Sequence, residues 1–307
     1  MDEIAVPPEP VPHIHWLFFI TKAFKLILKH LIPRLIRSWI RHSAFNAERR
    51  IRLLTASSRK LPDFFCVGAQ KSGSSTLYWW LRQHPQLGMS FDKESKFLDR
   101  YYSKGEKWYR HQFPLASSKK LAGDNTPYYL FHPLVPERAY SLCPEAKIIV
   151  ILRNPINRAF SQYQMECRKG REVHNSFEEA IEGEMERIHE AKTDLLSNPL
   201  DYHHTFENTS YLSRGIYIDQ IEHWLKWYKR DQILILISET FFADPRKELK
   251  KVYDFLSISQ TLPNDFTPYN VADYENMNEK TRLNLRDFFR PHNERLEEFL
   301  DRKLDWN

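Results

Sequence analysis

Between Gly68 and Thr76 the chain runs Gly-Ala-Gln-Lys-Ser-Gly-Ser-Ser-Thr, a set of residue types suited to holding an anion. The whole sequence has only eight glycines, and two of them, Gly68 and Gly73, bracket this loop. Glycine frees the backbone so that successive N–H groups can converge, and a helix starting at Ser74 would add the positive end of its dipole. Lys71 supplies a full charge, and Ser72, Ser74, Ser75 and Thr76 supply hydroxyl donors. A plain strand-to-helix turn capped by Ser74 would need neither the lysine nor so many hydroxyls.

A second cation stands at Arg153, directly after the apolar run Ile148-Ile149-Val150-Ile151-Leu152. The carboxyl end of a buried strand is where open α/β sheets bind ligands, and a guanidinium grips a phosphate with two parallel hydrogen bonds. Pro155 and Asn157 start a helix, and Ser161 falls on its early part, so Arg153 and Ser161 together offer a second phosphate site beside the first. The arrangement departs from the loop of nucleoside triphosphatases, in which lysine follows the second glycine and a strand-end acid holds magnesium. Here Lys71 precedes Gly73 and the strand ends in an arginine, so a metal-free anion site is expected. A P-loop kinase or nucleotide hydrolase is the alternative from another class.

These groups need a scaffold, and from Leu61 onward short apolar runs alternate with longer helical patterns, the signature of βαβ units. Strands are predicted at residues 64–68, 147–152 and 233–237. Helices are predicted at 74–84, 157–167, 176–192, 218–228, 245–256 and 280–300. The expectation is an α/β fold with an open, mainly parallel sheet flanked by helices, in one domain spanning 61–307. Trp79, Trp80, Trp224 and Trp227 lie on predicted helices and are read as core, and the His203-His204 pair as loop residues.

Residues 1–60 form a separate arm. The net charge of +5 belongs to it: residues 13–60 carry eleven bases and one acid, Glu48, whereas residues 61–307 carry 34 bases and 36 acids. Lys22, Lys25 and Lys29, then Arg34, Arg37 and Arg41, recur at helical spacing opposite Phe24, Leu28, Leu31, Leu35 and Trp39. That pattern predicts amphipathic helices that lie on an anionic membrane surface through residues 13–41, or pack on the domain or a second subunit. The uncharged stretch at 10–21 is too short for a span, which needs roughly 18 residues or more. With no secretory signal and three cysteines at no metal-ligand or disulfide spacing, a cytoplasmic protein is expected, peripheral on the membrane if the arm takes the first of those two roles. No nucleic-acid partner is expected, and an oligomer is left open.

The ordered set of motifs resembles the sulfotransferases that use 3′-phosphoadenosine 5′-phosphosulfate (PAPS), most of all the heparan sulfate (glucosaminyl) group and its bacterial relatives. Lys71 to Thr76 resembles the family's 5′-phosphosulfate loop, and Leu152 to Tyr163 its 3′-phosphate motif. Further matches are Lys93-Glu94 with Phe97, Gly105 with Trp108-Tyr109, Thr126-Pro127-Tyr128, Arg214-Gly215-Ile216-Tyr217, and Pro291-His292-Asn293 to Trp306. The resemblance implies a P-loop-like sulfotransferase fold, PAPS as donor, no metal, and in-line transfer to a hydroxyl or amine of a carbohydrate or related acceptor. It implies Glu94 as general base and Lys71 on the leaving phosphate, with Ser72, Gly73, Ser74, Ser75, Thr76, Arg153, Ser161, Lys280 and Arg282 around the donor.

Two positions depart from the family. A lysine often precedes the Thr-Pro pair, where this chain has Asn125, so a second catalytic cation must come from elsewhere, with Lys93 or Lys96 at hand. The Cys-bridged basic hairpin of the animal enzymes has no counterpart in residues 269–281, which hold no cysteine. The acceptor is not fixed by sequence, and a lipid or small-molecule alcohol is the alternative to a sugar. A non-catalytic membrane-associated binding module is opposed by the joint presence of Lys71, Glu94, Arg153 and Ser161.

Overall fold

The computed structural model describes residues 34–200, 202–269 and 277–306. The arm's expected helices before residue 34 lie outside the described residues. The chain divides into two units, residues 1–52 and 53–307. In the first, helix α1 (Arg34–Leu54) carries six arginines and one acid, and exposes Trp39 and Ile51.

In the second unit, strands β1 (Phe64–Gly68), β2 (Leu87–Met89), β3 (Leu121–Asn125), β4 (Lys147–Leu152) and β5 (Ile233–Ile237) form a parallel sheet in the order β2-β3-β1-β4-β5. The alternation of side chains along a strand sorts the core into two layers. Phe65 and Val67 of β1 face one layer with Ile148, Val150 and Leu152, while Phe64 and Cys66 face the other with Ile149 and Ile151. Helix α2 (Ser74–Leu81) follows β1 and covers the second layer with Leu77, Trp80 and Leu81. On the first layer lie α3 (Gly105–Arg110), α4 (Val135–Leu142) and, further along, the helix Tyr217–Leu225.

After β4 comes α5 (Pro155–Arg168), capped by Asn154, whose Oδ1 accepts from the N–H groups of Ile156 and Asn157. The expected helix at 176–192 is instead two, α6 (Phe177–Ile181) and α7 (Glu184–Ser197), because Gly183 between them adopts a left-handed conformation at φ 62°. The pair His203-His204 opens α8 (His204–Asn208) rather than lying in a loop: His203 Nδ1 accepts from the Phe206 N–H. The helix Tyr217–Leu225 is α9, and α10 (Ser238–Ala243), α11 (Pro245–Leu256) and α12 (Glu279–Leu300) complete the described elements. Trp80 and Trp224 are buried in the core as expected. Trp79 is only half-buried and stacks on Tyr269 at 5.4 Å between ring centroids.

Strands β2 and β3 escape a search for apolar runs, since Leu-Gly-Met and Leu-Ala-Gly-Asp-Asn are short or polar. Gly123 in β3 has a packing reason: a Cβ there would overlap the Phe64 ring of the neighbouring strand. Gly123→Ala is therefore expected to cost about 1–3 kcal/mol through overpacking, read from urea unfolding of the variant against the parent.

Candidate active site

Parallel pairing of β1 with β4 sets the loop after β1 beside the end of β4. The chain order changes direction there, since β3 and β4 flank β1 on opposite sides, the crevice where such sheets bind ligands. Gly73 caps α2 at φ 105°, in the left-handed region, with the Phe242 ring against it. The first turn of α2 then directs its N–H groups and dipole into the loop. Lys71 itself sits at φ 71°, a conformation uncommon for a side-chain-bearing residue and characteristic of functional sites. Arg153 Nη1 donates to the Lys71 carbonyl at 3.1 Å, joining the two anion motifs directly.

A cavity of about 820 Å³ opens at this edge. It is lined by Lys71, Ser72, Gly73, Ser74, Ser75, Glu94, Arg153 and Ser161, all singled out from sequence. Three others stand apart. The Thr76 hydroxyl is engaged by the backbone of Tyr269, accepting from its N–H at 3.0 Å. Arg282 reaches the edge through Asn157, donating to its Oδ1 at 3.1 Å, and Lys280 is exposed on the first turn of α12, off the cavity.

The wall also holds Lys93, Lys96, Lys169, Arg171, Glu207 and Glu239, so six cations face three carboxylates. Both candidates for the second cation are in place. Lys93 Nζ donates to Ser75 Oγ at 2.6 Å and lies 3.7 Å from Glu94 Oε1. Lys96 pairs with Glu207 at 3.3 Å, and Arg100 pairs with the same carboxylate at 2.6 Å. Asn125 is fully buried and does not line the cavity. Lys169 and Arg171 arrive from the end of α5, where Arg171 Nε bonds Glu166 at 2.6 Å. Partial burial, together with Arg171 and Lys71, draws the Lys169 ammonium below its ordinary value, against the pull of Glu166 and Glu94.

Behind the wall, Arg214, Tyr217 and Trp306 from the other motifs brace it. Buried Arg214 donates to Gln70 Oε1 and Ser210 Oγ, both at 2.7 Å, and lies over the Tyr128 ring. Tyr217 donates to the Arg153 carbonyl at 2.8 Å. Glu239 accepts from the Asn154 N–H and from Trp306 Nε1, pinning the Trp306 segment to the end of β4. Asp124, at the end of β3, is fully buried and accepts from Ser95, Tyr109, Tyr129 and Thr126 hydroxyls.

Next to this wall, buried Asp99 has no well-formed hydrogen bond to either carboxylate oxygen, although its own N–H and that of Arg100 lie near. Burial, then the charge of Glu207, pushes it up to about 7. The folded state thus holds a proton that the unfolded chain has already released, and stability falls as pH rises from the ordinary 3.8 towards about 7. Asp99→Asn is expected to flatten that slope, measured as melting temperature against pH.

Residues 61–303 match the family model described as "Sulfotransferase domain". Among curated relatives, the membrane-associated sulfotransferase kil1 of Dictyostelium discoideum is 26% identical, the match covering 80% of this chain and 66% of that protein. Mouse heparan sulfate glucosamine 3-O-sulfotransferase 3A1 is 25% identical over 83% of this chain and 67% of its own. Human bifunctional heparan sulfate N-deacetylase/N-sulfotransferase 2 is 29% identical over 79% of this chain and 30% of its own. The chain thus spans about two thirds or less of the length of these relatives. A solved sulfotransferase from Alicyclobacillus acidocaldarius superposes with a TM-score of 0.67 at 29% identity, over 80% of this chain and 99% of that one.

Proposed function

This chain belongs to the sulfotransferase-domain family, and on that footing we propose that it moves the sulfuryl group of PAPS to a hydroxyl of a carbohydrate or related acceptor. The observation that carries this reading is the convergence of the Lys71 loop, Arg153 and Glu94 on one cavity in which cations outnumber carboxylates. The curated relatives named for heparan sulfate support a sugar acceptor.

The residues present fit a doubly anionic nucleotide, with two cationic groups and a helix N-terminus on one side of a cavity large enough for it. Bound there, the donor supplies a sulfuryl group activated by its phosphate leaving group. Lys71 and the N–H groups of Gly73 to Thr76 neutralise and orient the 5′-phosphate, and Arg153 and Ser161 hold the 3′-phosphate. Glu94 removes the proton of the attacking hydroxyl at its carboxylate. Lys93 stands between Ser75 of the donor loop and Glu94, so it fills the part left open at Asn125. Positioning and charge stabilisation are then most of what the protein contributes.

Among the described residues no helix is long and apolar enough to cross a membrane. The exposed Trp39 and Ile51 on an arginine-rich α1 support peripheral contact with anionic lipid, as does the membrane association for which the Dictyostelium relative is named. Trp39→Glu with Ile51→Glu is expected to abolish flotation of the full chain with phosphatidylserine vesicles; unchanged flotation would refute the contact.

Glu94→Gln is expected to lower transfer by about 10²–10⁴ while leaving the affinity for adenosine 3′,5′-bisphosphate intact. Full activity in that variant overturns the assignment of the base. Thermal shift separates the reaction classes: adenosine 3′,5′-bisphosphate should raise the melting temperature and ATP with magnesium should not. Stabilisation by ATP with magnesium alone would point to a kinase or hydrolase.

A further inference from the structure

The segment 93–96 carries three cavity-lining side chains, those of Lys93, Glu94 and Lys96, yet belongs to no helix or strand. A backbone stretch of that kind needs a tether if a carboxylate on it is to meet a hydroxyl with useful geometry. The fourth residue, Ser95, points the other way and is buried. Its Oγ accepts from the Phe97 N–H at 3.3 Å, which leaves its own hydrogen to be donated, and Asp124 Oδ2 receives it at 2.6 Å.

Asp124 is well placed to anchor. It lies one residue before the end of β3, whose register against β1 is fixed by the pairs Phe65 with Asp124 and Cys66 with Asn125. Its carboxylate is fully buried and surrounded by hydroxyl donors, of which Tyr109 also bonds Oδ2 at 2.6 Å and Thr126 bonds Oδ1 at 2.9 Å. An ionised carboxylate is acceptor-only, and a buried one is held tightly by such charge-assisted bonds. The sheet therefore reaches the 93–96 segment chiefly through the short bond from Ser95 to Asp124, made at the residue adjoining Glu94, with the Tyr129 hydroxyl 2.9 Å from Ser95 Oγ and 3.3 Å from the same carboxylate oxygen beside it.

We propose that Asp124 is a positioning residue for Glu94, fixing through the Ser95 hydroxyl the segment from which the proton is taken. The proposal rests on the reading of Glu94 as the base, and its test keeps the two apart. Ser95→Ala and Tyr109→Phe each delete one 2.6 Å bond to the same carboxylate oxygen, but only the first cuts the link to Glu94. Ser95→Ala is expected to lower kcat about tenfold or more, with the dissociation constant of adenosine 3′,5′-bisphosphate changed less than about twofold. Ser95→Thr, which keeps the hydroxyl, should recover most of the rate, and Tyr109→Phe should keep kcat while its melting temperature falls as far as that of Ser95→Ala. Asp124→Asn, if it folds, should share the kcat loss.

If Ser95→Ala and Tyr109→Phe lose activity in proportion to their loss of stability, Asp124 is merely structural and the proposal falls. It falls equally if Ser95→Ala keeps kcat while Glu94→Gln is inactive. Full activity in Glu94→Gln would instead overturn the underlying assignment of the base, and this proposal with it.

Discussion

Everything at this edge depends on the parallel pairing of β1 with β4. A parallel pair ends both strands on the same side, so the loop leaving β1 and the arginine leaving β4 cannot avoid each other. The Ala69 N–H donates to the Ile151 carbonyl at 2.7 Å, and the Arg153 side chain returns to the Lys71 carbonyl. Two motifs more than eighty residues apart in sequence thereby become one cationic surface. The buried β-branched run of β4 holds the strand in the sheet, and Asn154 and Pro155 turn the chain immediately into α5.

Around that surface the protein uses buried polar groups as struts. Arg214, Asp124 and Glu184 are each almost fully buried, and each is spent on loops rather than on substrate-facing space. Glu184 accepts from the N–H groups of Leu212 and Ser213, which in turn places Arg214 against Gln70. Burying a charge is expensive unless it is fully bonded, so each strut is a commitment to one loop geometry. Burial alone raises the carboxyls of Asp124 and Glu184, and the hydroxyl and N–H donors around them work in the opposite direction.

Much of this was visible in the sequence wherever the signal was local. The strands at 64–68, 147–152 and 233–237 match their predicted bounds because continuous apolar runs leave no other period. The Lys71 loop declared itself because glycine is scarce in this chain. What was missed depends on distant partners. Strand β3 is polar at its end because Asp124 is meant to receive hydroxyls from Ser95, Tyr109 and Tyr129, none of which a scan for periodicity connects. Lys169, Arg171 and Glu207 join the cavity from helix ends whose placement only tertiary packing decides. The segment 176–192 looked like one helix because Gly183 is tolerated inside helical patterns, while here it is a hinge between two.

The uneven charge distribution has a kinetic meaning. Outside the arm the domain is nearly neutral, yet at one concave edge six cations face three carboxylates. Such an edge acts on a polyanion at distances of the order of the Debye length, about 8 Å at physiological ionic strength, rather than across the whole surface. Added salt should therefore slow the encounter of a nucleotide bearing two anionic phosphate groups with this cavity far more than it hastens its escape. Groups that would hold a nucleotide line the cavity itself, where screening is weaker, so the association rate would carry most of the ionic-strength dependence.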